Sequence, residues 1–208
     1  MKNKKIINVA IFASGNGSNF QAIVDSYKRG FLRNIKIALL VCDRPQAYVI
    51  KRAQKANINC FLVERKQFQT RNKFENFIIQ KLKKEKIDLI CLAGYMRVLS
   101  PKFVLKYKNK ILNIHPALLP AFKGENGIKD AFNYAVKITG VTVHFVDNGV
   151  DTGPIILQEA VGIKERDTLK SLEEKIHKIE HIIYPKAIRI VADGKVRIIG
   201  RKVKILNK

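Results

Sequence analysis

Four continuous apolar runs mark the first half of the chain, and amphipathic stretches separate them. The runs lie at residues 7–13, 35–42, 60–63 and 87–94. Continuous apolar runs are typical of strands buried on both faces of a parallel sheet. The stretches between them repeat apolar residues at helical spacing, which predicts helices over residues 19–30, 47–57 and 71–86. This order predicts a doubly wound, mostly parallel α/β sheet with right-handed connections.

The second half of the chain has a less regular pattern. A short strand and a proline-punctuated loop are predicted over residues 111–124, and a helix over 128–137. Two strands joined by a Gly/Asp loop are predicted over 140–161, and a hairpin over 195–206.

A long helix is predicted over residues 167–194, between those strand pairs. Asp167 is its predicted cap, and Pro185 is expected to kink it. Because no linker, repeat or low-complexity tract interrupts the chain, residues 1–208 are interpreted as a single domain.

The charge balance is strongly basic, with 40 Lys and Arg residues against 17 Asp and Glu residues and a net charge of +23. No run of adjacent basic residues exceeds two, so we expect solvated helix faces rather than direct binding to nucleic acid. Such a positive field still attracts small anions. No apolar run approaches the ~20 residues of a membrane-spanning helix, and we expect no membrane partner.

Cys42, Cys60 and Cys91 are odd in number, widely spaced and next to apolar segments. This pattern favours buried free thiols over disulfides or metal ligands. The N-terminal apolar stretch runs directly into glycines, so we interpret it as the first strand rather than a signal peptide. Together these features predict a cytoplasmic protein.

The first predicted strand is followed by SGNGSN, residues 14–19, called the glycine loop below. Glycine lets another group approach the main chain, and the N-terminus of the following helix offers free N–H groups to an anion. Ser18 and Asn19 add side-chain donors, and either is a suitable helix cap. Position 20 is Phe, so the dinucleotide fingerprint lacks its third glycine and a single phosphate fits better. A plain strand-to-helix turn stays an alternative.

Asn113 and His115 stand two apart at the end of a predicted strand, so their side chains share a face. Asp151 lies in a glycine-flanked turn after another strand. If Asp151 reaches His115, we expect it to raise the His115 pKa above the usual ~6.5. An amide and an imidazolium can then hold an oxyanion, which suits acyl transfer to an amine without a metal. A structural His115 and a turn-forming Asp151 stay open alternatives.

Three other histidines are candidates for chemistry. His144, within a predicted strand, is interpreted as structural. His177 and His181 share a helix face at i, i+4, but two ligands without a third favour no metal site.

Five segments occur in order along the chain: SGNGSN, LAGYMRVLS, NIHPALLPAF, TVHFVDNGVDTGPIILQ and EHIIYP. In order and spacing they resemble the phosphoribosylglycinamide formyltransferase family over about residues 7–195. The resemblance implies a Rossmann-like formyltransferase fold, with a phosphate-binding half at 7–100 and a catalytic, folate-binding half at 101–208. It implies formyl transfer from 10-formyltetrahydrofolate, as co-substrate, to the amino group of glycinamide ribonucleotide in purine biosynthesis.

The resemblance also implies roles for individual residues. Asn113, His115 and Asp151 match the catalytic trio. The substrate-binding residues would be Gly17, Ser18 and Asn19 for the phosphate and Glu180 for the ribose hydroxyls. The folate-binding residues would be Arg71, Met96, Arg97, Val98, Leu99, Asn113, Asp147, Asn148, Gly149 and Val150. Without the resemblance, Arg71 is merely a charge in the first turn of a helix, and Glu180 is one more exposed helix carboxylate.

In the implied mechanism the substrate amine attacks the formyl carbon, and Asn113 and protonated His115 stabilise the oxyanion. Asp151 keeps His115 charged and helps a proton reach the departing folate nitrogen. The chain departs from the family at Lys123, where proline is common, and lacks a further histidine that some relatives carry just beyond.

Three alternative functions stay open at this point. Methionyl-tRNA formyltransferase shares the Asn-x-His and Asp elements but normally carries a further C-terminal domain. A formyltetrahydrofolate hydrolase normally has an extra N-terminal domain. A basic nucleic-acid-binding protein would use the charge without catalysis. A monomer and a homodimer are both compatible with the sequence.

Overall fold

The structure is a computed structural model that describes residues 6–206. The chain forms two compact units, the first ending at Ile111 and the second beginning at Leu112. The predicted organisation, a single domain with halves that meet at residue 100, stays a prediction. No helix among the described residues is long and apolar enough to cross a membrane.

A set of parallel strands forms the sheet of the first unit. They are β1 (Ile7–Ala13), β2 (Ile35–Cys42), β3 (Cys60–Leu62) and β4 (Leu89–Leu92). They lie side by side in the order β3-β2-β1-β4. The last five residues of β1 are buried, as continuous apolar runs in a parallel sheet require. The four strands predicted for this half are confirmed.

Four α-helices connect or flank these strands. They are α1 (Ser18–Lys28), α2 (Val49–Lys55), α3 (Arg71–Lys84) and α4 (Pro101–Lys106). The first three confirm predicted helices. The sequence interpretation missed α4, because six residues are too few for a periodic pattern. Its signals are local: Ser100 accepts a hydrogen bond from the N–H of Phe103, and proline occupies the first helical position.

The sequence pattern predicts that Phe74, Phe77, Ile78 and Leu82 share one apolar face of α3, and the structure differs at one of them. Phe74, Ile78 and Leu82 are buried, but Phe77 is 45% exposed. The prediction that Phe77 faces the core is therefore wrong. Its ring lies at the edge of the packed face, with its centroid 5.4 Å from that of Phe61.

The second unit holds the remaining strands. They are β5 (Ile111–His115), β6 (Ile138–Phe145), β7 (Ile155–Gly162), β8 (Val196–Ile199) and β9 (Lys202–Ile205). Their order is β5-β6-β7-β9-β8, and among these neighbours β7 and β9 alone pair in parallel. The strand pair predicted over 140–161 and the hairpin over 195–206 are confirmed.

The short helix of the second unit, α5 (Gly127–Asn133), is shorter than the predicted 128–137. The backbone of Ala135 adopts a left-handed φ of +60° and ends the helical path. Helix periodicity in the sequence does not show such a local reversal, so the predicted C-terminus is wrong.

The long helix α6 (Leu169–Ala192) begins at a different cap from the predicted one. The hydroxyl of Thr168 accepts a hydrogen bond from the N–H of Ser171 at 3.1 Å, and Ser171 Oγ accepts one from the N–H of Thr168 at 3.0 Å. Asp167 stands just before this capping box and accepts a hydrogen bond from Ser171 Oγ. Thr168 is therefore the N-cap, and the prediction of Asp167 is wrong. Pro185 lies inside the helix, and its expected kink stays a prediction.

The three cysteines are free, as the sequence predicted. Cys42 and Cys91 are buried, and Cys60 is half-buried. Burial raises the pKa of Cys60 to about 11, so its thiol stays protonated and unreactive at neutral pH.

Candidate active site

The second unit brings Asn113, His115 and Asp151 together. Asn113 and His115 lie on β5, and Asp151 lies in the segment between β6 and β7. Nδ2 of Asn113 donates to Oδ1 of Asp151 at 3.3 Å, and Nδ1 of His115 lies 3.3 Å from Oδ2 of the same carboxylate. The Asp151 carboxylate therefore contacts both the Asn113 amide and the His115 imidazole, and the three side chains lie close together, as expected from the sequence.

Asp151 is held in place by the backbone as well as by side chains. Its φ of +51° lies in the left-handed region, which Asp tolerates better than most residues. The N–H of Gly124 donates to its Oδ2 at 2.9 Å. Burial alone would raise the pKa of Asp151, but its interaction with His144 and the hydrogen bond from Gly124, with the nearby His115, hold it below its usual value. The carboxylate is therefore ionised at neutral pH.

His115 is only 3% exposed. Its Nε2 lies 2.7 Å from the carbonyl oxygen of Phe122, which can only accept a hydrogen bond, so Nε2 carries the hydrogen. Burial lowers the pKa of His115, although Asp151 and the Phe122 carbonyl oppose this effect. The prediction that Asp151 raises this pKa above its usual value is therefore wrong, because desolvation of the buried ring outweighs the carboxylate.

His144 belongs to the same cluster, although the sequence interpretation treated it as a structural residue. In the antiparallel pairing of β5 and β6 it is the direct partner of Asn113. Its Nε2 lies 3.2 Å from Asn113 Nδ2 and 3.6 Å from Asp151 Oδ1, while Nδ1 lies 2.8 Å from the carbonyl oxygen of Phe145. In the neutral ring Nδ1 therefore carries the hydrogen, and Nε2 accepts from Asn113. Cross-strand pairing is the signal that could have identified it.

A buried hydroxyl fixes the chain just after β5. Thr142 on β6 is fully buried, donates to the carbonyl oxygen of Ala117 at 2.7 Å and accepts from the N–H of Leu119 at 3.1 Å. Gln158 on β7 donates to the carbonyl oxygen of Leu119 at 2.9 Å. These bonds satisfy the backbone of a segment that has left the sheet.

Glu180 on α6 is 4% exposed, so the alternative that it is an exposed helix carboxylate is wrong. It accepts a hydrogen bond from Nδ1 of His177 at 2.9 Å, and this bond raises the His177 pKa. The rings of His177 and His181 are stacked, 6.4 Å apart. Among residues 6–206, no group of three or more His, Cys, Asp and Glu side chains could hold a metal ion.

The segment between β6 and β7 also contains residues 147–150, which form a turn. Oδ1 of Asp147 accepts from the N–H of Gly149 at 3.1 Å and from the hydroxyl of Thr152 at 2.6 Å. Asn148, Gly149 and Val150 are exposed. The turn is thus fixed at its base and open to solvent at its tip, and its predicted contact with folate stays a prediction.

In the first unit the glycine loop leads into α1 as predicted, but without a side-chain cap. Gly17, with a φ of +77°, occupies the cap position, and Ser18 is the first residue of the helix. The expectation that Ser18 or Asn19 caps α1 is therefore wrong. The first N–H groups of a helix have no partner within it, so this end of α1 offers donors to an anion.

Arg71, the first residue of α3, connects this helix to the 96–99 segment. Its Nε donates to Glu75 Oε1 at 3.0 Å, and its Nη2 donates to the carbonyl oxygen of Val98. Glu75 is 5% exposed and also accepts from the N–H of Ser100 at 2.9 Å. The buried Glu75 thus fixes both the predicted folate-contacting arginine and the end of the predicted folate-contacting segment.

Within that segment Met96 and Val98 are exposed and Leu99 is buried. The N–H of Met96 donates to Ser14 Oγ at 2.9 Å. The Nε of Arg97 donates to Asp43 Oδ2 at 2.5 Å. The Arg97 charge is therefore paired inside the first unit, and the segment presents apolar side chains to solvent.

Comparison with known proteins gives one consistent result. The formyl transferase family matches residues 7–188. A Bacillus subtilis phosphoribosylglycinamide formyltransferase is 50% identical over 180 residues, which cover 86% of this chain and 92% of that protein.

Solved structures agree with the sequence match. Glycinamide ribonucleotide transformylase 1 from Symbiobacterium toebii superposes with a TM-score of 0.94 at 42% identity, covering 97% of this chain and 95% of that one. Phosphoribosylglycinamide formyltransferase from Bacillus halodurans gives a TM-score of 0.86 at 46% identity, covering 88% and 94%. The predicted fold class, a doubly wound, mostly parallel α/β sheet, is confirmed.

Proposed function

The chain belongs to the formyl transferase family, and from this premise we propose how its own residues carry out the reaction. It transfers a formyl group from formyl-folate to glycinamide ribonucleotide in purine biosynthesis, the activity named for a relative that is 50% identical to it. The co-substrate we propose is 10-formyltetrahydrofolate. The observation that carries the mechanism is the contact of both Asn113 and His115 with one carboxylate, Asp151.

In the proposed reaction the amino nitrogen of glycinamide ribonucleotide attacks the formyl carbon. The C=O electron pair moves to oxygen, and the resulting oxyanion accepts hydrogen bonds from Asn113 Nδ2 and His115 Nε2. The bond between the formyl carbon and the folate nitrogen then breaks. That nitrogen takes up one proton, and the attacking nitrogen loses one, so the exchange is balanced.

Both proposed oxyanion donors already have partners within the protein. His115 Nε2 donates to the Phe122 carbonyl, and Asn113 Nδ2 lies beside His144 Nε2. In the reaction the formyl oxygen replaces these two acceptors. Once it carries negative charge it is a stronger acceptor than either, because charge-assisted hydrogen bonds are about twice as strong as neutral ones. The new bonds therefore strengthen toward the transition state.

Substrate binding is proposed for two elements, each within its own unit. The N-terminus of α1, with Gly17, Ser18 and Asn19, suits the phosphate, because the helix dipole favours an anion there. Glu180 suits the ribose hydroxyls, because a buried carboxylate accepts strong hydrogen bonds from them.

Folate binding is proposed for three segments. The guanidinium of Arg71 keeps donors beyond its bonds to Glu75 and Val98 and can pair with a carboxylate of folate. Met96, Arg97, Val98 and Leu99 would line the pterin pocket, partly through backbone groups. Residues 147–150, exposed at their tip, would close over the ring. We also propose a cytoplasmic location, where free thiols such as those of this chain persist.

An acceptor assay tests the proposed function directly. The purified protein and 10-formyltetrahydrofolate are incubated with glycinamide ribonucleotide, with methionyl initiator tRNA, or with neither, and folate product is followed. We expect product only with glycinamide ribonucleotide. Product only with tRNA would indicate a methionyl-tRNA formyltransferase, and product without acceptor would indicate a hydrolase.

The protonation of His115 gives a second measurable prediction. Because burial lowers its pKa and Asp151 opposes that effect, Asp151→Asn should lower the His115 pKa further. An NMR titration of the imidazole signals should place the wild-type midpoint below the usual ~6.5 and the Asp151→Asn midpoint lower still. His177, on α6, whose pKa is governed mainly by its hydrogen bond to Glu180, serves as the internal control whose midpoint the substitution should leave unchanged. A higher His115 midpoint in the variant would contradict the proposed arrangement.

A further inference from the structure

Helix α2 holds the glycine loop at three successive residues. The N–H of Val49 donates to the carbonyl oxygen of Gly15 at 3.2 Å. The side chain of Val49 lies against Gly17 so closely that a Cβ on Gly17 would fall 2.4 Å from Val49 Cγ2. Between these contacts, Arg52 binds Asn16. The two residues just before the proposed phosphate contacts, and Gly17, the first of those contacts, are thus held by one neighbouring helix.

Arg52 makes the strongest of these contacts. Its Nε donates to the Asn16 carbonyl oxygen and its Nη2 to Asn16 Oδ1, both at 2.9 Å. One planar guanidinium therefore binds Asn16 through two hydrogen bonds. Its Nη1 lies 3.4 Å from Gln21 Oε1 on α1. Its Cζ lies 5.0 Å from the centre of the Tyr48 ring. The side chain therefore connects the loop, the start of α1 and α2.

We propose that Arg52 is a positioning residue for the substrate phosphate, an inference that rests on the phosphate role proposed for Gly17, Ser18 and Asn19. Asn16 is exposed and stands between two glycines, whose backbones have the most freedom to lose on ordering. Fixing Asn16 before the substrate arrives removes part of that entropic penalty from binding. The oxygens that Arg52 binds are uncharged, so they do not neutralise its positive charge, and this charge also attracts the phosphate.

Three variants separate positioning from charge. Arg52→Gln removes both the hydrogen bonds to Asn16 and the positive charge. Arg52→Lys keeps the charge but loses the paired donors of the guanidinium. Lys51→Gln is the matched control. Lys51 is the neighbouring cation on α2 and lies 5.9 Å from the same Tyr48 ring. We expect both Arg52 variants to raise KM for glycinamide ribonucleotide about tenfold, the effect of losing one charge-assisted hydrogen bond. Their kcat and KM for formyl-folate, and all constants of Lys51→Gln, should stay near wild type.

A charge effect alone would give the opposite pattern. In that case Arg52→Lys would behave as wild type and Lys51→Gln would weaken substrate binding as much as Arg52→Gln, and either result overturns the proposal. If Arg52→Gln does not fold, Asn16→Ala removes the side-chain acceptor instead. A KM unchanged in Asn16→Ala also overturns the proposal.

Binding of ribose 5-phosphate, followed by NMR at the amides of residues 17–19, distinguishes this inference from the function on which it rests. We expect shifts at these amides in the wild type and weaker binding in the Arg52 variants. Equal affinity in wild type and Arg52→Gln overturns the positioning role alone. Absence of shifts in the wild type overturns the phosphate assignment and the positioning role together, while formyl transfer is tested separately by the acceptor assay.

Discussion

Replacing His115 by alanine is expected to lower kcat by at least about 10²–10³-fold, the usual effect of removing one oxyanion donor. The variant loses the Nε2 hydrogen that now faces the Phe122 carbonyl and would face the formyl oxygen. Asn113→Ala should fall in the same range, because it removes the other donor. Steady-state kinetics with saturating formyl-folate and glycinamide ribonucleotide measure both effects.

The two donors should not act independently. Both are proposed to stabilise one oxyanion, so Asn113→Ala/His115→Ala should lose less than the product of the single effects. Thermal unfolding checks that the variants fold, since His115 is buried and its loss leaves a cavity. Near-normal turnover in a folded His115→Ala protein would reject the catalytic assignment.

The second large effect is expected at Gly17. An alanine there would have to adopt a φ of +77°, and its Cβ would lie 2.4 Å from Val49 Cγ2 and 2.6 Å from Val49 Cβ. Backbone strain and overpacking together should lower the free energy of unfolding by about 2–5 kcal/mol. Because the loop must shift to relieve the overlap, KM for glycinamide ribonucleotide should rise at least about tenfold.

Gly15 supplies the matched control within the same loop. A Cβ at Gly15 meets nothing within 4 Å, and its backbone lies outside the left-handed region. Gly15→Ala should therefore change the free energy of unfolding by less than about 0.5–1 kcal/mol. Denaturant unfolding compares the two variants, and equal losses would show that the contact with Val49 is not the cause.

The parts of the fold that follow from apolar periodicity could be predicted from the sequence. The strands of the first unit are continuous apolar runs because both faces are covered, and α3 shows its buried face through Phe74, Ile78 and Leu82. The convergence of Asn113, His115 and Asp151 could also be anticipated. It was implied by the resemblance to the formyltransferase family and not by strand order, because β5 and β6 are antiparallel and their carboxyl ends lie at opposite edges of the sheet.

Features set by local chemistry or by tertiary environment could not be predicted. Helix α4 is too short to show a period. The choice between Asp167 and Thr168 as the cap of α6 is decided by which side-chain oxygen accepts from the backbone N–H of Ser171. The direction of the His115 pKa depends on burial, which overrides the neighbouring carboxylate. The place of His144 in the cluster with Asn113 and Asp151 could be recognised only from the register of β5 and β6.

A substitution that removes the buried hydroxyl of Thr142 on β6 would affect β5, the strand that carries Asn113 and His115. Valine would fill nearly the same space within β6, yet it would orphan the N–H of Leu119 and remove a donor from Ala117. The direction in which the chain departs from His115 is thus dictated by a residue twenty-seven positions downstream. Thr142→Val, although it conserves size, would therefore misalign the His115 imidazole rather than loosen the packing of the core.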